Sequence, residues 1–210
     1  MKPVMTTTPI AILTHWHTGS SLLSRTLHLC GMEIGNEKTS WIDNEQYEHL
    51  ILNGLGVGIY HDKVSGVKLL ECLTSFRNIL RAYKREAQKN KWKFYGIKIT
   101  HALQEKCWKH LGKIFEEEWP DAIYVISNRD VGDIYNGVKV NPEWDYEKVS
   151  QSLASTKAAE KKLLLKNNNG FLVRYPESYI NGKIKEVVEE IGLKWNKEAE
   201  GLFKAKGHHV

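Results

Sequence analysis

The 210-residue chain carries 30 Lys and Arg against 25 Asp and Glu, a formal net charge of +5, and 41% of its residues are hydrophobic. It is long enough for one domain with a sizeable core, and no stretch approaches the roughly 18 apolar residues of a membrane span. The N-terminal stretch has neither a secretory nor a transit pattern, so a soluble cytoplasmic protein is expected. Three cysteines, Cys30, Cys72 and Cys107, without CxxC spacing, argue against a disulfide framework and read as buried thiols. The modest positive charge suits an anionic ligand without demanding nucleic acid. The lysines are scattered over helical faces, and no zinc-finger or RNP motif accompanies them.

In chain order, the first informative stretch is Pro9 to Gly31. Ile10, Ala11, Ile12 and Leu13 form a short continuous apolar run, as in a strand of a parallel sheet covered on both faces. Leu22, Leu23, Thr26, Leu27 and Cys30 then recur at helical spacing. Between them stands His15-Trp16-His17-Thr18-Gly19-Ser20-Ser21, a turn with one glycine, three hydroxyls and two imidazoles where a helix begins. A helix N-terminus offers unpaired N–H groups and the positive end of its dipole, so this turn is a candidate anion site. Gly19 lets the backbone approach an anion closely, and Thr18, Ser20 and Ser21 add donors. The plainer alternative is that Ser20 or Ser21 caps a core helix, which leaves the glycine and the histidines unexplained. The turn lacks the Lys-Ser/Thr ending of a magnesium-nucleotide loop, so an ATPase or GTPase is not indicated.

Asn36 to Asn44 reads as a loop and Glu45 to Leu55 as a helix ended by Gly54, Gly56 and Gly58. Val67 to Lys89 is a long helical pattern with a basic exposed face. The two make a helical insertion, about 45–90, in a single domain spanning 1–210. Trp92 to Ile99 is the second buried strand and delivers Lys98, Thr100 and His101 to its C-terminal end, where parallel sheets bind ligands. The alternative there is a lysine that snorkels to solvent and a histidine that caps the next helix.

Gln104 to Trp119 predicts a helix, Pro120-Asp121 a turn and Ala122 to Ser127 the third strand. Arg129 follows it, with forked, permanently charged donors that suit a phosphate, or else an ion pair with Asp130 or Asp133. A loop over Val138 to Trp144, a long helix over Tyr146 to Lys166 and a turn at Asn167 to Gly170 come next. Phe171 to Arg174 is the fourth strand, Tyr179 to Ile191 a helix, and Lys204 to Val210 a basic tail. Strands alternating with helices predict an α/β fold, a parallel β-sheet with helices on both faces. No spacing among the nine histidines makes a metal site.

Thr18-Gly19-Ser20-Ser21-Leu22-Leu23, after a strand, resembles the sulfate-donor loop of the P-loop sulfotransferases, with His17 standing where that family carries Arg or Lys. The segment Trp119 to Gly137, WPDAIYVISNRDVGDIYNG, is similar to the family stretch that holds the 3′-phosphate of the cofactor. Looser likenesses lie at Asn44 to Glu48, at Lys98 to His101 and at Tyr175 to Tyr179. The resemblance implies a P-loop NTPase-like three-layer sandwich and 3′-phosphoadenosine 5′-phosphosulfate (PAPS) as sulfuryl donor, without a metal. The implied product is 3′,5′-bisphosphoadenosine, and the acceptor is a hydroxyl or amine on a small molecule or glycan. No nucleic acid or membrane partner is expected.

On that resemblance His17, Thr18, Gly19, Ser20, Ser21 and Leu22 hold the 5′-phosphosulfate. Arg129, Asn136 and Gly137 lie on the 3′-phosphate side, with Gly137 where the family has serine and Asn136 as its substitute, and Tyr175 is a further cofactor-binding residue. His17 and Lys98 supply positive charge, and His101 or Glu48 is the general base. An imidazole at position 17 carries less dependable charge than Arg or Lys. Two other readings stand beside this one. His17 and Gly137 suggest a catalytically impaired nucleotide-binding protein of the same fold; a nucleoside or nucleotide kinase would want the loop lysine that the sequence lacks.

Overall fold

The N-terminal apolar run forms strand β1 (Thr8–Thr14), in which Ile10 to Leu13 are fully buried. A computed structural model describes residues 6–15, 18–34, 42–43, 48–61, 63–138, 145–166 and 169–205. After β1 come α1 (Ser20–Leu29) and the two-residue strands β2 (Met32–Glu33), β3 (Ile42–Asp43) and β4 (Glu48–His49). Helices α2 (Leu50–Tyr60) and α3 (Gly66–Asn90) lead to β5 (Phe94–Thr100), α4 (Glu105–Glu118) and β6 (Ile123–Arg129). Then follow α5 (Val131–Val138), α6 (Tyr146–Ala154), α7 (Lys157–Lys166) and β7 (Gly170–Tyr175). The chain closes with α8 (Glu177–Ile180), α9 (Lys183–Glu190) and α10 (Glu198–Ala205).

The strands form one seven-stranded sheet in the order β3-β4-β5-β1-β6-β7, with β2 also on β5. Every pairing is parallel except β3 with β4. Such a sheet must be covered on both faces, because the inner runs of its central strands are apolar. Helices α2, α3, α4 and α7 pack together over one face. On the other, α1 and α10 meet around Leu22, Tyr175 and Phe203. The protein therefore has the α/β architecture expected, a parallel sheet between helical layers. Each fully buried Ile or Leu of β1 contributes about 1.5–3 kcal/mol of transfer free energy.

Three expected boundaries differ. The helix foreseen over Glu45 to Leu55 starts at Leu50, after β4, and runs through Gly54, Gly56 and Gly58 to Tyr60. Of these, Gly56 serves packing: a Cβ there would stand 3.3 Å from the Thr100 carbonyl oxygen, so α2 lies close on β5. The single helix foreseen over Tyr146 to Lys166 is two, parted at Ser155-Thr156, where Thr156 Oγ1 bonds the Leu153 carbonyl at 2.8 Å. The helix foreseen over Tyr179 to Ile191 is likewise broken, at Gly182 with φ 74°. Most of the loops foreseen at Asn36 to Asn44 and Val138 to Trp144 lies outside the described residues. Cys30 and Cys107 are buried, Cys72 is half-buried, and none is in a disulfide.

Candidate functional site

Strand register decides which side chains share a face. Thr14 pairs with Thr100 on β5 and with Ser127 on β6, and Arg129 pairs with Tyr175 on β7. Side chains alternate along a strand, so Lys98, Thr100, Thr14, Ser127, Arg129 and Tyr175 all rise on one face. That is the face of α1, and the first loop crosses the C-terminal ends of these strands.

Gly19 occupies the N-cap position of α1 with φ 75°, and no side chain caps the helix. The capping alternative for Ser20 and Ser21 is thereby set aside, and the first turn of α1 keeps the donors that suit an anion. Lys98 is only 1% exposed, and its Nζ donates to Ser21 Oγ at 3.0 Å. It does not snorkel; the strand carries its ammonium to the start of α1. Glu48 on β4 stands directly beside Lys98 in parallel register. His17 lies outside the described residues.

Several of the residues expected to hold the ligand also make structural contacts. The Thr18 hydroxyl is fully buried, 2.5 Å from Thr14 Oγ1, and the two share the His15 carbonyl as acceptor at 2.7 and 3.0 Å. Ser127 Oγ donates to the Thr18 carbonyl at 2.7 Å, which holds that oxygen against the sheet. Leu22 packs its side chain against Tyr175 and Phe203. Tyr175 is itself buried beneath Gly19, with the Arg129 guanidinium 5.1 Å from its ring centroid. Its hydroxyl is pushed above the usual phenol range by burial, with the Arg129 charge opposing.

Arg129 Nε stands 3.7 Å from Asp133, one of the two partners foreseen for it, at the wall of a cleft of about 420 Å³ outside β6 and β7. Arg174, Lys157 and Tyr175 line the same cleft, as do Asp130, Asp133 and Glu177. Asn136 is exposed on α5, and Gly137 falls in the last turn of that helix; neither is part of the cleft wall.

His101 is fully buried and sits at φ 67°, a left-handed conformation that side chains rarely adopt. It stacks on Tyr60 at 4.7 Å and meets the His15 ring edge-on at 5.8 Å. Burial, with His15 and His61 nearby, pushes its pKa down to about 2. At neutral pH its imidazole is neutral and sealed from solvent. It does not cap the next helix, whose N-cap is Gln104.

His15 Nε2 lies 2.8 Å from Ser152 Oγ, which also takes Gln104 Nε2 at 3.0 Å and Tyr60 Oη at 3.2 Å. Gln104 Nε2 also donates to the Ser152 carbonyl at 3.0 Å, which can only accept, so the amide orientation is fixed and Oε1 faces Ser155 Oγ. This buried network ties the start of the loop to α2 and α6. Sequence reasoning missed it, and missed Ser127, although Ser127 lies two residues before Arg129 on the same face. Among the described residues no group of three or more His, Cys, Asp or Glu is placed to hold a metal. No described helix is long and apolar enough to cross a membrane.

No family model matches the chain, and no curated protein is similar to it in sequence. Solved structures are similar in fold. A Mycobacterium tuberculosis sulfotransferase matches with TM-score 0.50 at 14% identity, over 97% of this chain and 72% of that one. The sulfotransferase domain of the Synechococcus olefin synthase gives 0.53 at 10% identity, over 95% and 78%. A sugar kinase from Janibacter gives 0.51 at 12% identity, over 94% and 98%. The chain thus has the P-loop-type α/β fold that these sulfotransferases share with the sugar kinase, and at 10% to 14% identity the likeness is one of fold.

Proposed function

We propose that the chain transfers a sulfuryl group from PAPS to a hydroxyl or amine of a small-molecule or glycan acceptor. One arrangement carries this reading. A buried ammonium, Lys98 Nζ, lies 3.0 Å from Ser21 at an uncapped helix start, and a second cation, Arg129, stands on the same sheet face two strands away. Two separated cations suit a donor with two separated anionic groups. Helix amides, an ammonium and a guanidinium are also the groups that bind phosphate and sulfate, so the donor set fits the cofactor.

When bound, the cofactor supplies an activated sulfuryl group whose departure leaves charge on a phosphate oxygen. Lys98 and the first-turn amides of α1 answer such charge without reorganising, because the lysine is buried and the loop is braced from below. Ser127 contributes by keeping the Thr18 carbonyl away from the anion. Arg129, on the Tyr175 ring, holds the second anionic group. Glu48, next to Lys98 in register, is the residue we assign to accept the acceptor's proton. His101, neutral and enclosed, is given no such role. His17 adds charge at the loop, and His17→Lys should keep transfer that His17→Ala loses.

Calorimetric titration with 3′,5′-bisphosphoadenosine tests the reading. Saturable binding is expected, and its absence overturns it. Transfer of labelled sulfate from PAPS to an acceptor panel then separates the enzyme from the impaired binder, which would bind and not transfer. The Janibacter sugar kinase, similar over almost its whole length, favours a second reading. Phosphoryl transfer from magnesium ATP to sugars or nucleosides, with no response to PAPS, would establish that one instead.

A further inference from the structure

Asn128 and Arg129 point to opposite faces of β6, because side chains alternate along the strand. Yet Asn128 also acts on Arg129, since its Oδ1 accepts the Arg129 backbone N–H at 2.7 Å. The other end of the amide meets Glu160 on α7: Asn128 Nδ2 donates to Oε1 and Oε2 at 3.4 and 3.3 Å. A carboxylate only accepts, so it fixes which way the amide faces and leaves Oδ1 for the backbone. Thr156 Oγ1 holds Glu160 Oε1 from the far side at 3.0 Å. Glu160 is half-buried, and burial raises its pKa against the opposing pull of Thr156, Lys157, Asn128 and Arg174.

We propose that Glu160 is a positioning residue for Arg129. Through the Asn128 amide it fixes the backbone at the exit of β6, and so the direction from which the guanidinium reaches the cleft beside Tyr175. Glu160 does not line that cleft, and its effect on a ligand passes through the strand end. The proposal rests on the reading that Arg129 holds an anionic group. A carboxylate in the first turn of α7 also steadies that helix through its dipole, so the test must separate aiming from stability.

The probes are 3′,5′-bisphosphoadenosine and adenosine 5′-phosphate, titrated against the full chain and its variants. Glu160→Ala and Asn128→Ala should each weaken the bisphosphate about tenfold and change the monophosphate by less than about twofold. Glu160→Gln, which keeps an acceptor for Asn128, should stay within about threefold of the unaltered protein. Glu160→Ala placed on Arg129→Ala should add nothing, as expected when one residue acts through the other. Equal weakening of both ligands, full additivity with Arg129→Ala, or no weakening overturns the proposal. If the unaltered protein binds neither ligand, the sulfotransferase reading fails, and the NMR order parameter of the Arg129 Nε–H decides. A drop in Glu160→Ala and Asn128→Ala but not in Glu160→Gln supports the positioning role; no change refutes it.

Discussion

The ring of Tyr175 fills the space that a side chain on Gly19 would need: a Cβ there would stand 2.4 Å from Cδ2 and 2.5 Å from Cγ. Gly19 also sits at φ 75°. Gly19→Ala therefore incurs left-handed backbone strain of about 1–2 kcal/mol and pushes the ring away from Arg129 and Phe203. Urea denaturation should show a loss on the order of 2–4 kcal/mol. Placed on Tyr175→Ala, which lacks Cγ and Cδ2, Gly19→Ala should cost only the backbone part. An unchanged midpoint in Gly19→Ala would show that the ring gives way freely.

Lys98 separates catalysis from stability. Its ammonium is buried at the start of α1, where a charge is costly to desolvate and valuable to a developing anion. Lys98→Met keeps the length and removes the charge. Transfer should fall by roughly 100- to 1,000-fold while the melting temperature holds or rises. Transfer at the unaltered rate would remove Lys98 from the mechanism.

Ser127 is expected to matter twice. Its hydroxyl is the donor to the Thr18 carbonyl at 2.7 Å. Ser127→Ala should cost about 1 kcal/mol of stability and weaken bisphosphoadenosine binding, because the carbonyl it released can turn toward the anion. Stability loss with unchanged affinity would confine the residue to packing.

His101 links stability to pH. Its folded pKa is depressed to about 2 from 6.5, so below pH 6.5 the unfolded chain takes up a proton that the folded chain refuses. The stabilisation is complete above pH 6.5 and is lost as pH falls toward the folded value. Between pH 6.5 and 5 the loss is about 2 kcal/mol. His101→Asn, which tolerates the left-handed backbone, should flatten this acid limb in denaturation curves collected at several pH values. A limb of unchanged slope would assign the acid sensitivity to other groups.

The strands and the loop between β1 and α1 were legible because their signals are local: short apolar runs, and hydroxyls around a glycine at a helix start. Lys98 was legible too, from its place near the end of a strand. What escaped was set by contacts between distant positions. Ser127 and Thr18 are 109 residues apart, and His15 and Ser152 are 137 apart. No window of sequence shows that the Ser127 hydroxyl meets the Thr18 carbonyl. The enclosure of His101 is hidden for a related reason: its backbone turns left-handed just past β5, and the ring stacks on Tyr60. The glycines of α2 read locally as a helix end, while the use of Gly56, a close seat on β5, is tertiary.

Lys98, a cation at the start of α1, comes from β5 and not from the loop, and this divides the proposed site into two parts. The cradle of backbone amides is set by Gly19, Thr18 and the strands beneath them. Part of the charge is set by Lys98 on a neighbouring strand, whose ammonium meets the Ser21 hydroxyl of that cradle. Position 98 can therefore be varied to change how strongly the site holds an anion, or how far it favours a departing one, without rebuilding the loop. A series of substitutions at that position would read out charge against a constant backbone, an experiment that a lysine inside the loop does not permit.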